Sequence, residues 1–426
     1  MRTHIHRTAS AFALLSVIAL VTLPALASIE KANPEDVGLS TERLGRIHEA
    51  IQRHIDEGNI TGAVTAVSRR GRLAHLEAHG LMDVESATAM RDDAIFKIMS
   101  MTKPVVGVAV LMLVEEGKVR LRDPVSRFIP ELGDLEVAVA MPGRGGRGGR
   151  GGGDGPPPFY TVPASRDITV QDLLTHTSGL ASGPFSNREA GRVGRQEPSD
   201  TLADLIPRLG EAPLEFQPGD RWAYSASRGF DVLLRIVEVA SGLPADQFLR
   251  ERIFGPLGME DTSFWAPESV LPRVVTVYQR TPDGLTRSRS QTGATSQTYF
   301  SGGGGLVSTA TDYLQFGQML LNGGELNGTR LLGPKTVELM SSTIVEEFGF
   351  GQPSPGLGFG LSVQVVKDPV AAGYRVGAGS FGWDGAYGTH FWIDPVEEIV
   401  GVVMIQTPVF QVSRDVENAL MQAILD

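Results

Sequence analysis

The chain has 426 residues, enough for a large hydrophobic core, and its composition of 42% hydrophobic and 20% charged residues is ordinary for a globular protein. Its net charge of −11 argues against general binding to a phosphate backbone. The absence of cysteine excludes disulfides, thiol catalysis and cysteine-ligated zinc.

The first 27 residues have the layout of a secretory signal peptide. A basic start precedes an apolar run at residues 11–23, and Ala25-Leu26-Ala27 offers small residues at a cleavage site. The apolar run is too short to span a membrane comfortably. We therefore expect cleavage after Ala27, export to the periplasm or the medium, and no stable membrane insertion of the mature chain, residues 28–426.

The first part of the mature chain predicts a layer of helix and sheet. Residues 40–57 place apolar side chains on one helical stripe, and Gly58 follows as a stop signal. Two strand-like segments, 61–69 and 73–80, flank the turn Arg70-Gly71 and predict a β-hairpin.

The stretch from Phe96 to Gly117 predicts a buried helix with chemistry at its start. After Lys103 the segment is apolar on every side, and Pro104 is tolerated only near a helix start, so the helix begins close to Ser100. Ser100 and Lys103 are three residues apart and share a helix face, where the amine can activate the hydroxyl and free N–H groups can hold an oxyanion. Taken alone, this Ser-x-x-Lys also fits a capping serine beside a lysine that extends to solvent.

The middle of the chain contains an insertion and several predicted helices. Residues 142–158 are rich in glycine, arginine and proline and cannot build a packed core, so we expect a flexible surface loop. Three arginines in an acidic chain do not indicate a nucleic-acid partner. Helices are predicted at residues 168–179, 201–209, 229–241 and about 310–322. His176 has no acid at an evident spacing and is expected to be structural.

The C-terminal part returns to strands, at residues 361–366, 390–394 and 399–406, before a final helix at 416–425. Because strands lie near both ends of the mature chain, we predict one α/β part built from residues of about 28–117 and 345–426. A mainly helical part, of about 118–344, is inserted between them.

Two further motifs carry possible chemistry. Tyr224 lies in a turn ahead of a predicted helix, where a phenol beside a lysine can relay protons. Taken alone, a packed structural tyrosine is the more common situation. The Gly-rich stretch 379–395 permits close approach of a ligand to backbone N–H groups, and a plain β-turn is the alternative.

As an ordered set, these motifs resemble the serine β-lactamase-like, penicillin-recognising hydrolases. The set consists of Ser-x-x-Lys at Ser100, Tyr-Ser at Tyr224 and Gly-Trp-Asp-Gly at 382–385, and it looks closest to the class C-like branch with the family VIII carboxylesterases. The resemblance covers residues 33–424 apart from the Gly/Arg insertion. It implies an α/β (α+β) fold with an antiparallel sheet flanked by helices, and it implies no metal and no organic cofactor.

The resemblance also implies roles for individual residues. Ser100 matches the acylated nucleophile, Lys103 the lysine that helps deprotonate it, and Tyr224 the general base and acid. The backbone N–H groups of Ser100 and Ala386 match the oxyanion hole. Trp383-Asp384-Gly385 falls where relatives carry a substrate-binding Lys-Thr-Gly motif.

Two departures from the family pattern favour uncharged esters as substrates. Ala226 stands where relatives have an asparagine that contacts a substrate amide, and Trp383 replaces a cation that holds a carboxylate. The sequence thus predicts an exported serine carboxylesterase acting on small esters. Arg228 and Arg375 are the candidates for a replacement cation, which would favour β-lactams.

Three alternatives remain open at the level of sequence. A β-lactamase or D-amino-acid peptidase would use the same nucleophile, and an acyltransferase would pass the acyl group to an alcohol in place of water. A non-catalytic binding protein would keep the scaffold with a broken catalytic set, whereas Ser100, Lys103 and Tyr224 are all present.

Overall fold

The computed structural model describes residues 29–141, 158–288 and 297–426. The predicted signal peptide with its cleavage site after Ala27 lies outside the described residues, as does the predicted Gly/Arg-rich loop up to residue 157.

Regular elements are distributed along the whole described chain. The strands are β1 Gly62–Arg69, β2 Arg72–Asp83, β3 Thr88–Ala89, β4 Phe96–Lys97, β5 Glu136–Ala140, β6 Phe159–Pro163, β7 Tyr278–Thr281, β8 Gly284–Arg287, β9 Val307–Ser308, β10 Glu325–Leu326, β11 Thr329–Arg330, β12 Leu357–Phe359, β13 Gln364–Val366, β14 Phe381–Asp384, β15 His390–Asp394 and β16 Ile399–Met404. The α-helices are α1 Thr41–Asp56, α2 Thr102–Glu115, α3 Val170–Leu174, α4 Gly183–Val193, α5 Leu202–Leu205, α6 Arg228–Ser241, α7 Ala245–Leu249, α8 Gly255–Leu257, α9 Ala310–Leu321, α10 Pro334–Met340, α11 Pro369–Ala372 and α12 Gln411–Met421.

The main sheet joins the two ends of the chain. Its eight strands run in the order β12-β13-β14-β15-β16-β1-β2-β3, and every neighbouring pair is antiparallel. The pairing of β1 with β16, from Val64 opposite Met404 to Arg69 opposite Ile399, connects the N-terminal and C-terminal strands. The predicted fold, one antiparallel sheet built from both ends with helices around it, is therefore confirmed.

Helices cover both faces of the central strands, so β1 is buried along its whole length. On one face α9 packs against β1, β15 and β16, and Ser68 of β1 donates a hydrogen bond to Gln318 of α9 (2.8 Å). On the other face α1 packs against β1, β2 and α12. Helix α1 begins at the capping residue Ser40 and buries Leu44 and Ile47 in the core, as its apolar stripe predicted.

The turn between β1 and β2 also follows the sequence prediction. Arg70 and Gly71 both adopt a positive φ, 52° and 74°. Two such residues form the tight turn whose twist matches the right-handed twist of the flanking strands. The hairpin is thus confirmed, with its second strand extending to Asp83.

Several predicted elements differ in extent from those observed. The helix predicted at 168–179 ends at Leu174, because His176 adopts a positive φ of 57° and interrupts it. The strand predicted at 361–366 is shorter, since a turn separates β12 from β13. The final helix begins at Gln411, five residues earlier than predicted. The hairpins β5–β6, β7–β8 and β10–β11 were not predicted.

In the described ranges, none of the helices has the length and apolar character needed to cross a membrane.

Candidate active site

Ser100 lies in a short 3-10 turn, Met99–Met101, that leads directly into α2. Contacts from distant elements hold this turn, since the Tyr313 hydroxyl donates to the Met101 carbonyl (2.6 Å) and Thr102 Oγ1 accepts from the Leu306 N–H (3.2 Å). The helix that follows is buried from Thr102 through Leu113, as predicted. The nucleophile candidate is thus half-buried at the start of a helix that the core holds on all sides.

Lys103 is fully buried, and its amine sits between three oxygen atoms. Nζ contacts Ser100 Oγ at 3.0 Å and donates to the carbonyls of Ala226 (2.6 Å) and Gly303 (2.7 Å). Two N–H bonds of Lys103 Nζ point to these two carbonyls. The remaining tetrahedral position of the nitrogen therefore faces Ser100. An ammonium donates a third N–H there, whereas a neutral amine presents a lone pair that can accept the serine proton.

Tyr224 reaches the same oxygen from the other side. Its hydroxyl donates to Ser100 Oγ at 2.8 Å, and its ring lies 4.9 Å from Lys103 Nζ. Ser100, Lys103 and Tyr224, which the sequence singled out from separate segments, are therefore brought together in one hydrogen-bonded group. A phenol and an amine that both reach one hydroxyl can move its proton.

His176 contacts residues 223–225, the segment that carries Tyr224. Its Nδ1 accepts a hydrogen bond from the Ser225 N–H (3.2 Å), its carbonyl accepts from the Ala223 N–H (3.0 Å), and its ring lies 4.7 Å from the Tyr224 ring. Burial, and then the charge of Lys103, hold the pKa of His176 well below its usual range, so the ring is neutral. These contacts agree with the structural role expected from the sequence.

The segment predicted to complete the oxyanion hole packs against the Ser100 turn. The Gly385 N–H donates to the Thr389 carbonyl (2.7 Å), and Thr389 Oγ1 donates to the Ile98 carbonyl (3.2 Å). A side chain at Gly385 would place its Cβ 2.4 Å from that same Ile98 oxygen, so only glycine permits this approach. Ala386 follows at an exposed position beside the turn that carries Ser100.

Trp383 belongs to an aromatic wall beside the catalytic candidates. Its ring centroid lies 5.7 Å from that of Tyr224 and 5.2 Å from that of Phe359. Trp222 and Phe350 extend the wall, each with a T-shaped or stacked contact to Tyr224. The Trp383 ring is buried, so it presents an apolar surface beside Tyr224. Its predicted contact with substrate stays a prediction.

An adjoining cleft of about 940 Å³ opens from Tyr224. Aromatic residues Trp222, Phe348 and Phe350 line it together with charged side chains, and residues 344–353 form one border. The sequence interpretation missed this cleft. Trp222, two residues before Tyr224, was a signal that could have been used, whereas the loop that carries Phe348 and Phe350 has no motif of its own.

Ala226, Arg228 and Arg375 are the residues that the sequence analysis linked to a preference for neutral or charged substrates. Ala226 contributes its carbonyl to Lys103, and its methyl group offers no hydrogen bond to a substrate. Arg228 is engaged elsewhere, with Tyr299 Oη (2.6 Å) and Asp231 (3.2 Å), and Arg375 is exposed. Arg228 is therefore engaged with Tyr299 and Asp231, and a role of Arg375 as a replacement cation stays a prediction.

Asp384 belongs to a charge network behind the site, in which its own side chain is 44% exposed while those of His390 and Glu417 are buried. Its Oδ1 lies 2.6 Å from His390 Nδ1, while His390 Nε2 lies 2.8 Å from Glu417, which pairs with Arg414 (2.8 Å). Burial alone would lower the pKa of His390, but the two carboxylates outweigh it and raise that pKa to about 9. The sequence did not predict this pairing of the Asp384 carboxylate, and its substrate contact stays a prediction. His390 and Glu417 were not identified from the sequence.

Comparison with known proteins places these features in a family context. A family model described as Beta-lactamase matches residues 47–426. An uncharacterized protein of Mycobacterium tuberculosis (strain CDC 1551 / Oshkosh) is 38% identical over 84% of this chain and 88% of its own. Esterase EstB of Burkholderia gladioli is 30% identical, over 89% of this chain and 94% of its own. The solved structure of EstCE1, described as a hydrolase with promiscuous acyltransferase activity, is 26% identical with a TM-score of 0.73 and covers 89% of this chain and 99% of its own.

Proposed function

Because this chain belongs to the beta-lactamase family, we propose that it is an exported serine carboxylesterase that works through an acyl-enzyme at Ser100. The observation that carries the proposal is the convergence of two groups on one oxygen. Lys103 Nζ (3.0 Å) and Tyr224 Oη (2.8 Å) both lie within hydrogen-bond distance of Ser100 Oγ. Esterase relatives of similar length support ester hydrolysis as the reaction class.

Acylation begins with a proton transfer from Ser100 and ends with a proton transfer to the leaving group. Ser100 Oγ attacks the ester carbonyl carbon while the Lys103–Tyr224 pair accepts its proton. The negative oxygen that forms is stabilised by the N–H groups of Ser100 and Ala386. The bond between the carbonyl carbon and the alcohol oxygen then breaks, and the leaving alkoxide receives the proton through Tyr224.

Deacylation follows the same steps, with water in place of Ser100 as the attacking group. A water molecule gives a proton to the same pair and attacks the acyl carbon, so the bond to Ser100 Oγ breaks. The proton returns to Ser100 Oγ, and the carboxylic acid leaves. The half-buried position of Ser100 leaves one side of the acyl group open to that water.

The surroundings favour uncharged esters with an apolar group. Ala226 offers no side-chain donor, and the Trp383 ring is buried beside Tyr224. The aromatic wall of Trp222 and Phe350 borders the cleft of about 940 Å³, where an apolar acyl or alcohol group can pack. Neutral substrates fit the aromatic wall itself, because a carboxylate packed against the rings would lose its hydration without gaining a partner from them. Arg166 and Arg221 line other parts of the cleft.

Export is part of the proposal and is supported by the N-terminal sequence. Residues 1–27 combine a basic start, an apolar run and a small-residue cleavage site.

Acyl transfer to an alcohol is a second candidate activity. EstCE1 is described as a hydrolase with promiscuous acyltransferase activity, and the cleft beside Tyr224 offers space for an alcohol acceptor in this chain. Both activities share the acyl-enzyme, so they differ only in whether water or an alcohol attacks it. Product analysis in the presence of a short alcohol, with ester and acid measured separately, distinguishes them.

The test is a paired initial-rate assay of a short-chain p-nitrophenyl ester and a chromogenic cephalosporin. We expect fast ester cleavage, little cephalosporin turnover, and loss of ester cleavage in Ser100→Ala. Ser86→Ala, which changes an exposed serine bonded to Asp83, is the matched control and should retain activity. Ester turnover that survives in folded Ser100→Ala would contradict the proposal, and dominant cephalosporin turnover would assign the site to β-lactams.

A further inference from the structure

Two histidines and a glutamate meet on the side of the molecule away from Ser100. His48 lies on α1, and Glu77 and His79 lie on β2. One ligand atom from each lies within 4.8 Å of the other two. His48 Nδ1 is 2.8 Å from Glu77 Oε1, and His79 Nε2 is 3.8 Å from Glu77 Oε2.

The local structure explains why these side chains converge. Glu77 and His79 are two residues apart in a strand, so they point to the same face of the sheet. This face is covered by α1, and His48 stands on that helix with its ring centroid 5.2 Å from that of His79. The side chain of His79 is buried while that of His48 is 53% exposed, so the cluster has a closed inner end and an open outer end.

We propose that His48, Glu77 and His79 form a binding site for a divalent transition-metal ion of the zinc type. Two imidazole nitrogens and one carboxylate oxygen are ligands that zinc prefers, and a fourth position is open to water. Ligand atoms bound to tetrahedral zinc at about 2.0–2.2 Å are roughly 3.3–3.5 Å apart. The observed separations are 2.8 Å and 3.8 Å to the two oxygens of Glu77, and the three ligand atoms all lie within 4.8 Å of one another. The side chains must therefore move closer together for one ion to bind all three.

The buried nitrogen of His79 points to a metal rather than to a simple surface ion pair. A pair between His48 and Glu77 accounts for those two side chains alone. His79 Nε2 is inaccessible to solvent and has no hydrogen-bond partner within the described ranges, although buried polar atoms normally have one. His75, on the same strand, is different, because its Nε2 already bonds with Thr65 Oγ1 (2.8 Å).

The position of the site separates it from the proposed catalysis. α9, whose Tyr313 holds the Ser100 turn, packs on one face of the sheet, whereas α1 and the cluster lie on the other. A metal here would tie α1 to β2 and stabilise the fold, because binding to the folded state alone shifts the folding equilibrium. Ester turnover should therefore be the same with and without the ion.

The test is a calorimetric titration of the protein, treated with chelator and purified without a polyhistidine tag, with Zn²⁺. We expect one ion per chain, a rise in Tm on binding, and no binding of Mg²⁺ or Ca²⁺. His48→Ala and Glu77→Gln should each weaken binding by about tenfold or more. Glu49→Gln, at an exposed position of α1 outside the cluster, is the control and should bind as the unmodified protein does.

The outcomes are decisive because His48 and Glu77 are partly exposed and their substitution leaves the core intact. No heat of Zn²⁺ binding in the unmodified protein, or unchanged binding in His48→Ala, would overturn the proposal. A simultaneous assay of ester cleavage keeps the two proposals apart. Loss of Zn²⁺ binding with normal turnover bears on the metal site alone, and absent turnover with normal Zn²⁺ binding bears on the esterase alone.

Discussion

The two sides of the candidate active site are built in opposite ways. On one side Lys103 is 0% exposed, and three oxygen atoms surround its amine. On the other side the loop of residues 344–353 carries Phe350, which is 68% exposed although it contacts Tyr224 and Trp222. Under the proposed function, proton transfer takes place in the buried region around Lys103, and substrate selection takes place at an exposed border that can vary without disturbing that region.

The largest effect on ester turnover should come from a substitution in the buried region around Lys103. Lys103→Met removes the amine while keeping an apolar stem of similar length, so we expect kcat/KM for a p-nitrophenyl ester to fall by about 10²–10⁴-fold. Loss of the hydrogen-bond partner of the Ala226 and Gly303 carbonyls should also lower Tm. Lys118→Met, at an exposed lysine, is the control and should leave the rate unchanged. A Lys103→Met protein with near-normal turnover would show that the amine takes no part in proton transfer.

An intermediate effect should come from the charge network that supports β14 from behind. The folded-state pKa of His390 is raised from 6.5 to about 9, so its charged form stabilises the fold. That contribution is fully present below about pH 6.5 and is lost as the pH rises toward 9 and beyond. We therefore expect Tm to decline across this interval, as measured by thermal denaturation at a series of pH values.

His390→Gln is the variant that isolates this effect. It cannot gain a charge, so its Tm should be lower at neutral pH and should depend less on pH between about 6.5 and 9. His54→Gln, at a buried histidine of α1 that is bonded to Asp415 and not to the His390 network, serves as the matched control. If His390→Gln kept the full pH dependence, the network would not be its source.

The smallest effect should come from a substitution in the exposed loop of residues 344–353. Phe350→Ala removes an exposed ring from the cleft border, so KM for esters with bulky apolar groups should rise by roughly 2–10-fold with little change in kcat. Acetate esters should respond less, since they do not reach the ring. Phe410→Ala, at another exposed phenylalanine, is the control. An equal fall in kcat for every ester would instead place Phe350 in the chemistry.

The parts of the fold that follow local rules were predictable from the sequence. The stripe of α1, the Arg70-Gly71 turn and the all-apolar α2 each follow from periodicity or turn chemistry within one segment. The convergence of Ser100 with Tyr224, 124 residues apart, is tertiary, and only the family resemblance connected them in advance.

Other parts of the site could not be predicted, because no motif or periodicity in the sequence indicates them. His390 and Glu417 are 27 residues apart and meet only because α12 packs against the sheet, so no spacing rule indicates the pair. The Phe348–Phe350 segment has neither helical nor strand periodicity, and its contribution to the cleft depends on where the neighbouring elements place it. In the same way, His176 ends its predicted helix early by adopting a left-handed backbone conformation that residues other than glycine rarely take.

The pairing of β1 with β16 makes completion of the main sheet depend on a strand that is synthesised late. β1 is synthesised early, but its partner on one side is completed only at Met404. Gly385, which approaches the turn of Ser100, is also made late. A nascent or truncated chain therefore has the nucleophile without the strand on which the proposed oxyanion hole depends. Under the proposed function, such a chain should be inactive.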